Sequence, residues 1–170
     1  MSVKKPERIR WAVEVLSVQP DENVLEIGCG GGHAIEFICN QLTTGKIIGI
    51  DRSLKAISVA ESNNRSCLNA LKAQLINIDL AELQINESFD KIFAINVNVF
   101  WTGPEKEIAV LRTLMNKSSQ LYLFYEPPSV SQLEKIIENC QKHFEGKLEI
   151  VDILRKRLSS NYGVCVVAKK

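Results

Sequence analysis

Residues Val24–Ile38, VLEIGCGGGHAIEFI, place four glycines in five positions between an apolar run and a run with helical character. A turn needs one glycine, or two; the surplus points to something lying directly against the backbone. "NVLEIGC" reads as a strand apolar enough to be covered on both faces. A helix follows from about Gly32 to Leu42, and its free N–H groups favour an anionic ligand group.

Outward from that stretch, strand alternates with helix. "KIIGID" is a strand, followed by the helix "SLKAISVAESNNR" with Ser53 as its cap. "AQLINID" and "FDKIFAINV" are the third and fourth strands, the latter followed by Gly103-Pro104 and the helix "EKEIAVLRTLM". "QLYLFYEPP" and the helix "SVSQLEKIIENCQKHF" form the fifth unit. This alternation predicts an α/β, doubly wound, mainly parallel sheet. At the end, "LEIVDILRKRL" and "GVCVVAKK" are separated only by "SSNY", too short for a crossover helix, so the two strands form an antiparallel hairpin.

The 170 residues fit a single domain over 1–170, with a helix within 1–20 and a core over 21–170. Pro6 opens that first helix, and Ile9, Ala12, Val13 and Leu16 share one face opposite Lys4, Lys5, Glu7, Arg8 and Arg10. It is either a moving lid or a permanently packed helix. Twenty-one basic against twenty acidic residues leave a net charge of +1, which argues against bulk nucleic-acid binding. No apolar run approaches membrane-spanning length. Five dispersed cysteines without a C-x-x-C pair suggest neither zinc nor a redox motif, and fit buried apolar roles in a reducing compartment. The expectation is a cytoplasmic, metal-free protein.

In a doubly wound sheet, ligands bind at the carboxyl ends of the strands near the reversal of strand order, where the glycine turn falls. The dinucleotide fingerprint G-x-G-x-x-G/A fails in both registers: it meets His33 when started at Gly28 and Ile35 when started at Gly30. An acid followed by G-x-G-x-G is matched in full by Glu26, Gly28, Gly30 and Gly32, with Gly31 outside the pattern. In these residues the chain resembles the class I S-adenosylmethionine-dependent methyltransferases. "GID", "NID" and "FDKIFAINVNVFW" resemble that family's next motifs in order, and the likeness runs from about Val24 to the end.

The resemblance implies a Rossmann-like, seven-stranded sheet ordered 3-2-1-4-5-7-6. It also implies S-adenosyl-L-methionine as cofactor, with Glu26 near its amino group and Gly28, Gly30 and Gly32 clearing space for its methionine part. Asp51 would hold the ribose hydroxyls, since a carboxylate accepts two hydrogen bonds at once; its alternative role is to cap the next helix. Asp79 would take the exocyclic amine with Leu80 beside it, and Arg52 would lie near the adenine face. The implied activity is methyl transfer to a small-molecule acceptor. A non-catalytic binding or regulatory protein with the same fold is the alternative, since fold alone does not prove chemistry.

Asn96 is a site candidate because a polar residue inside "FAINVNVFW" is costly without partners. Tyr125, Glu126 and His33 complete the set of possible catalytic groups. Cys29 is read as filling space in the turn.

Overall fold

β1 (Asn23–Ile27) runs through the middle of the sheet, hydrogen-bonded in parallel to β2 (Lys46–Asp51) on one side and β4 (Phe89–Ile95) on the other. The computed structural model describes residues 6–170, so Lys4 and Lys5 lie outside the described residues. β3 (Ala73–Asn77) adds to β2, and β5 (Met115–Tyr125) adds to β4. β7 (Tyr162–Lys169) pairs antiparallel with both β5 and β6 (Glu149–Arg157), giving seven strands in the order β3-β2-β1-β4-β5-β7-β6. The expected architecture and terminal hairpin are both present.

Helices cover both faces. α1 (Glu7–Leu16), α2 (His33–Cys39) and α3 (Leu54–Asn63) pack on one face, with Ile9, Leu16, Ile35, Ile38 and Ile57 around Val24, Phe93 and Phe124. α6 (Glu105–Leu114) and α7 (Val130–Phe144) pack on the other, with Ile108, Leu111, Leu133 and Ile136 around Leu25, Ile92 and Leu121. The period of two explains the division: on β5, Leu121, Leu123 and Tyr125 join one core, while Tyr122 and Phe124 join the other. Among the described residues no helix is long and apolar enough to cross a membrane.

The connections hold what the repeating pattern did not announce. α4 (Arg65–Asn69) follows α3 after a break at Asn64, a 3-10 helix (Leu80–Glu82) follows β3, and α5 (Val99–Thr102) sits within the loop after β4. β5 starts at Met115, ahead of the expected Gln120, with a register shift between Phe89 and Lys91 of β4.

α1 lies flat on the sheet. Trp11 meets Phe124 edge-on, with ring centroids 5.5 Å apart, and Glu7 accepts the Ser159 amide at 2.8 Å. Arg8 pairs with Glu126 at 3.3 Å and Lys156 with Glu14 at 3.2 Å.

The cysteines require a correction. Cys29, Cys140 and Cys165 are buried free thiols, but Cys39 and Cys67 are joined in a disulfide. The break at Asn64 turns α4 so that Cys67 meets the last residue of α2, a closeness that a separation of 28 residues does not reveal.

Candidate active site

The carboxyl ends of β1 to β4 enclose a pocket of about 460 Å³, walled by Gly28 of the glycine turn, Asp51, Asp79 and the loop after β4. It opens where the sheet order reverses, since β2 and β4 flank β1 on opposite sides.

The glycine turn is built from three left-handed residues, with φ of +67° at Gly28, +53° at Gly30 and +70° at Gly32. Their surroundings differ. A Cβ on Gly30 would meet nothing within 4 Å. A Cβ on Gly28 would stand 2.6 Å from Cγ2 of Val97, and one on Gly32 would collide with the Asn64 amide. Only Gly30 therefore faces open space. At Gly28 and Gly32 the protein's own packing also excludes a side chain, while Gly28 lines the pocket. Asn63 and Asn64 fasten the turn from behind, donating to the Gly31 carbonyl at 2.9 Å and the Gly32 carbonyl at 3.0 Å.

Asp51 ends β2 and accepts two amides: Gly30 to Oδ2 at 2.9 Å and Ser53 to Oδ1 at 2.9 Å. Ser53 is the cap of α3, accepting the Ala56 amide at 3.3 Å, so the acid supports the capping residue and the glycine turn together. A carboxylate accepts about four hydrogen bonds, which leaves Asp51 room for a diol. Asp79 accepts the Ala81 amide on Oδ1 at 3.0 Å, with the buried Leu80 beside it. Arg52 is exposed on the same pocket wall.

Glu26 is 4% exposed, and its Oε2 is buried with no hydrogen-bond partner. Burial, and then the charge of Asp51, pushes its pKa from 4.5 up to about 8. A buried carboxyl oxygen without a donor, close under the glycine turn, is suited to a ligand amine. The residues present therefore fit S-adenosylmethionine: an orphaned acid for its ammonium, an open Gly30 for close approach, and spare acceptors on Asp51 for its ribose.

The catalytic candidates fare differently. Asn96 is exposed at the end of β4 in a left-handed conformation with φ +57°. Its Oδ1 accepts the Glu126 amide at 2.9 Å and its own amide donates to Phe124 at 2.8 Å. The expectation of a polar group inside the strand is thus corrected; Asn96 ties the ends of β4 and β5 together while lining the pocket. Tyr125 is buried and donates its hydroxyl to the Val97 carbonyl at 2.9 Å, and burial holds its pKa well above the ordinary value. Glu126 is taken up by Arg8. His33 is exposed at the start of α2 and is not part of the pocket wall. Burial raises the Cys29 thiol pKa far above its usual range, in keeping with a space-filling role. Glu107, in the first turn of α6, lines the pocket and was not anticipated. Its signal would have been an acid one turn into the helix after the fourth strand.

The methyltransferase domain family model matches residues 24–117, which include the glycine turn, Asp51, Asp79 and Glu107. A trans-aconitate 2-methyltransferase of Escherichia fergusonii is 32% identical over 105 residues, covering 60% of this chain and 39% of the relative. The chain thus spans about two fifths of that relative's length. A SAM dependent methyltransferase from Aquifex aeolicus superposes with a TM-score of 0.76 at 14% identity, covering 94% of this chain and 88% of that one. The [4+2]-cyclase SpnF superposes with a TM-score of 0.75 at 13% identity, covering 95% of this chain and 80% of that one. With the family model spanning more than half of its length and the full sheet order in place, the chain belongs to the class I S-adenosylmethionine-dependent methyltransferases.

Proposed function

We propose that the chain, as one domain over residues 1–170, transfers a methyl group from S-adenosyl-L-methionine to a small-molecule acceptor. The observation that carries this reading is Asp51, which lines the pocket beside Gly28 while holding the Gly30 amide, with acceptor capacity to spare. Bound there, the cofactor supplies an electrophilic methyl on a sulfonium. Asp51 would accept from the ribose hydroxyls, Asp79 from the base, and Glu26 from the amino group. Acids around the pocket suit a cationic donor better than the neutral product.

The protein's contribution is alignment, which accounts for roughly 7–11 kcal/mol in well-oriented reactions. Tyr125 and Glu126 are committed elsewhere, so the reading favours an acceptor that is already nucleophilic near neutral pH, such as a carboxylate. The trans-aconitate named for one relative is an acid of that kind. A net charge of +1 supports a small acceptor rather than a nucleic acid.

Titration with S-adenosylmethionine, S-adenosylhomocysteine and NAD tests the reading, followed by labelled-methyl transfer into a metabolite mixture read by mass spectrometry. Binding of neither adenosyl ligand at up to about a millimolar, which is only some 4 kcal/mol of affinity, would overturn it. The likeness to a cyclase favours keeping a second reading, cofactor binding without transfer. Tight binding with no labelled product from any acceptor class would select it.

A further inference from the structure

One short stretch of chain, residues 64–67, holds α2 at both of its ends. Gly32 caps the start of α2, and the wholly buried Asn64 donates its Nδ2 to the Gly32 carbonyl at 3.0 Å. Cys39 ends α2, and Cys67 is bonded to it. Asn64 stands at the N-cap of α4 yet makes no capping hydrogen bond, and its Oδ1 is buried without a partner. Asparagine at that position ordinarily accepts an amide of its own helix. A buried acceptor left unpaired is costly, so Asn64 gains by turning away from Gly32, to water or to its own helix. The packing of α4 opposes this weakly: the helix has five residues, and Cys67 is the only buried one. The bond to Cys39 is therefore what keeps Asn64 on the glycine turn.

We propose that Cys39 and Cys67 form a redox switch on cofactor binding: the disulfide holds Asn64 against Gly32 and the turn in its binding form, and the dithiol lets both relax. This inference rests on the methyltransferase reading above. In the reducing step a thiolate of an external dithiol attacks one sulfur of the bond, and the other sulfur leaves as a thiolate that takes a proton. The reductant's second thiol then displaces the first. Two electrons and two protons pass to the protein, and the reductant ends as a disulfide. Both cysteines are buried, so the attack needs α4 to lift. Linkage is reciprocal: a ligand bound tenfold more tightly by the disulfide form moves its midpoint potential about 30 mV more negative.

The test is calorimetric binding of S-adenosylhomocysteine to the protein with the bond intact and after dithiothreitol, to Cys39→Ser/Cys67→Ser, and to Asn64→Ala in both redox states. Thermal unfolding is the folding control. Reduction should weaken the unaltered protein's affinity about tenfold while the chain stays folded. The double serine variant should match the reduced protein and ignore dithiothreitol, and Asn64→Ala should bind weakly with a redox effect below about twofold. Affinities within about twofold in the two redox states of the unaltered protein overturn the switch and leave the bond structural. So does unfolding of the chain on reduction. A full redox effect in Asn64→Ala overturns the route through Asn64. If that variant does not fold, amide exchange in the unaltered protein takes its place: residues 64–70 should exchange faster after reduction, and unchanged exchange overturns the proposal. Failure of the disulfide form to bind S-adenosylhomocysteine overturns the methyltransferase reading, and this inference with it.

Discussion

The amide of Gly30 donates to Oδ2 of Asp51 at 2.9 Å, so the turn after β1 and the acid ending β2 are one hydrogen-bonded unit before any ligand arrives. The ribose-binding and capping readings of Asp51 are therefore not alternatives. Asp51→Ala should lower ligand-free stability by about 1–3 kcal/mol, since the part-buried Gly30 amide and the exposed Ser53 amide lose their acceptor, and weaken S-adenosylhomocysteine at least about tenfold. Thermal unfolding and calorimetry measure the two effects separately; weaker binding with an unmoved melting temperature would show that the turn holds without the acid.

Glu26 makes both stability and binding depend on pH. Its folded pKa of about 8 stands above the ordinary 4.5, so between those values the folded ligand-free protein keeps a proton that the unfolded chain releases. Stability should be fully present below about 4.5 and fall as pH rises through 8. A bound ammonium favours the ionised acid, so ligand binding should release a proton and tighten toward pH 8. Glu26→Gln should flatten both slopes. Titrations in buffers of different ionisation heat count the proton; no release at pH 6 would refute the assignment.

Gly28 and Gly30 should fail in different ways. Gly28→Ala sets a Cβ 2.6 Å from Cγ2 of Val97 at φ +67°, and should cost ligand-free stability about 2–4 kcal/mol. Val97→Ala in the same chain should recover part of that loss. Gly30→Ala meets no protein atom within 4 Å, and should cost only about 1–2 kcal/mol of backbone strain while weakening the cofactor about tenfold or more. Equal stability losses in the two variants would contradict the assignment of separate roles.

The packing of α1 predicts a structural helix. Trp11→Ala should cost about 3–5 kcal/mol, because Trp11 is 5% exposed and seated on Phe124. Arg8→Ala should cost less than about 1 kcal/mol, since the Arg8 side chain in the pair with Glu126 is 36% exposed. Amide exchange across residues 9–16 should be slow with or without ligand. Fast exchange that slows only when cofactor and acceptor are both bound would restore the lid.

Reduction of Cys39–Cys67 should destabilise the chain by about 3–4 kcal/mol, the loop-closure entropy of a 28-residue separation. Denaturant unfolding with and without reductant, compared with Cys39→Ser/Cys67→Ser, measures it. An unchanged midpoint on reduction would argue against the bond.

The sheet was legible because its information is local. Apolar runs of strand length, helical periods between them and a four-residue gap before the last strand constrain topology without any knowledge of contacts. Glu26, Asp51 and Asp79 were legible for the same reason: each sits at or beside the end of its own strand. What stayed hidden depends on two distant segments meeting. Nothing near Asn96 announces the Glu126 amide 30 residues away, nor does anything near Tyr125 announce the Val97 carbonyl. Gly28 lines the pocket where its motif placed it, but nothing in the motif announces Val97 beside it. Glu107 looked like an ordinary acid at a helix start until α6 was placed against the 3-10 helix.

The bond between Cys39 and Cys67 closes a covalent ring that contains β2 and α3, and with them Asp51, Ser53, Asn63 and Asn64. Asp79 and Glu107 lie outside it. A single protease cut between residues 40 and 66 would therefore leave two fragments still joined, migrating as one chain until reductant is added. A cut in the loop after β4 would release a piece at once. The Asp51 side of the pocket thus stays covalently tied to the rest of the chain after such a cut, and the Asp79 and Glu107 side has no such tie.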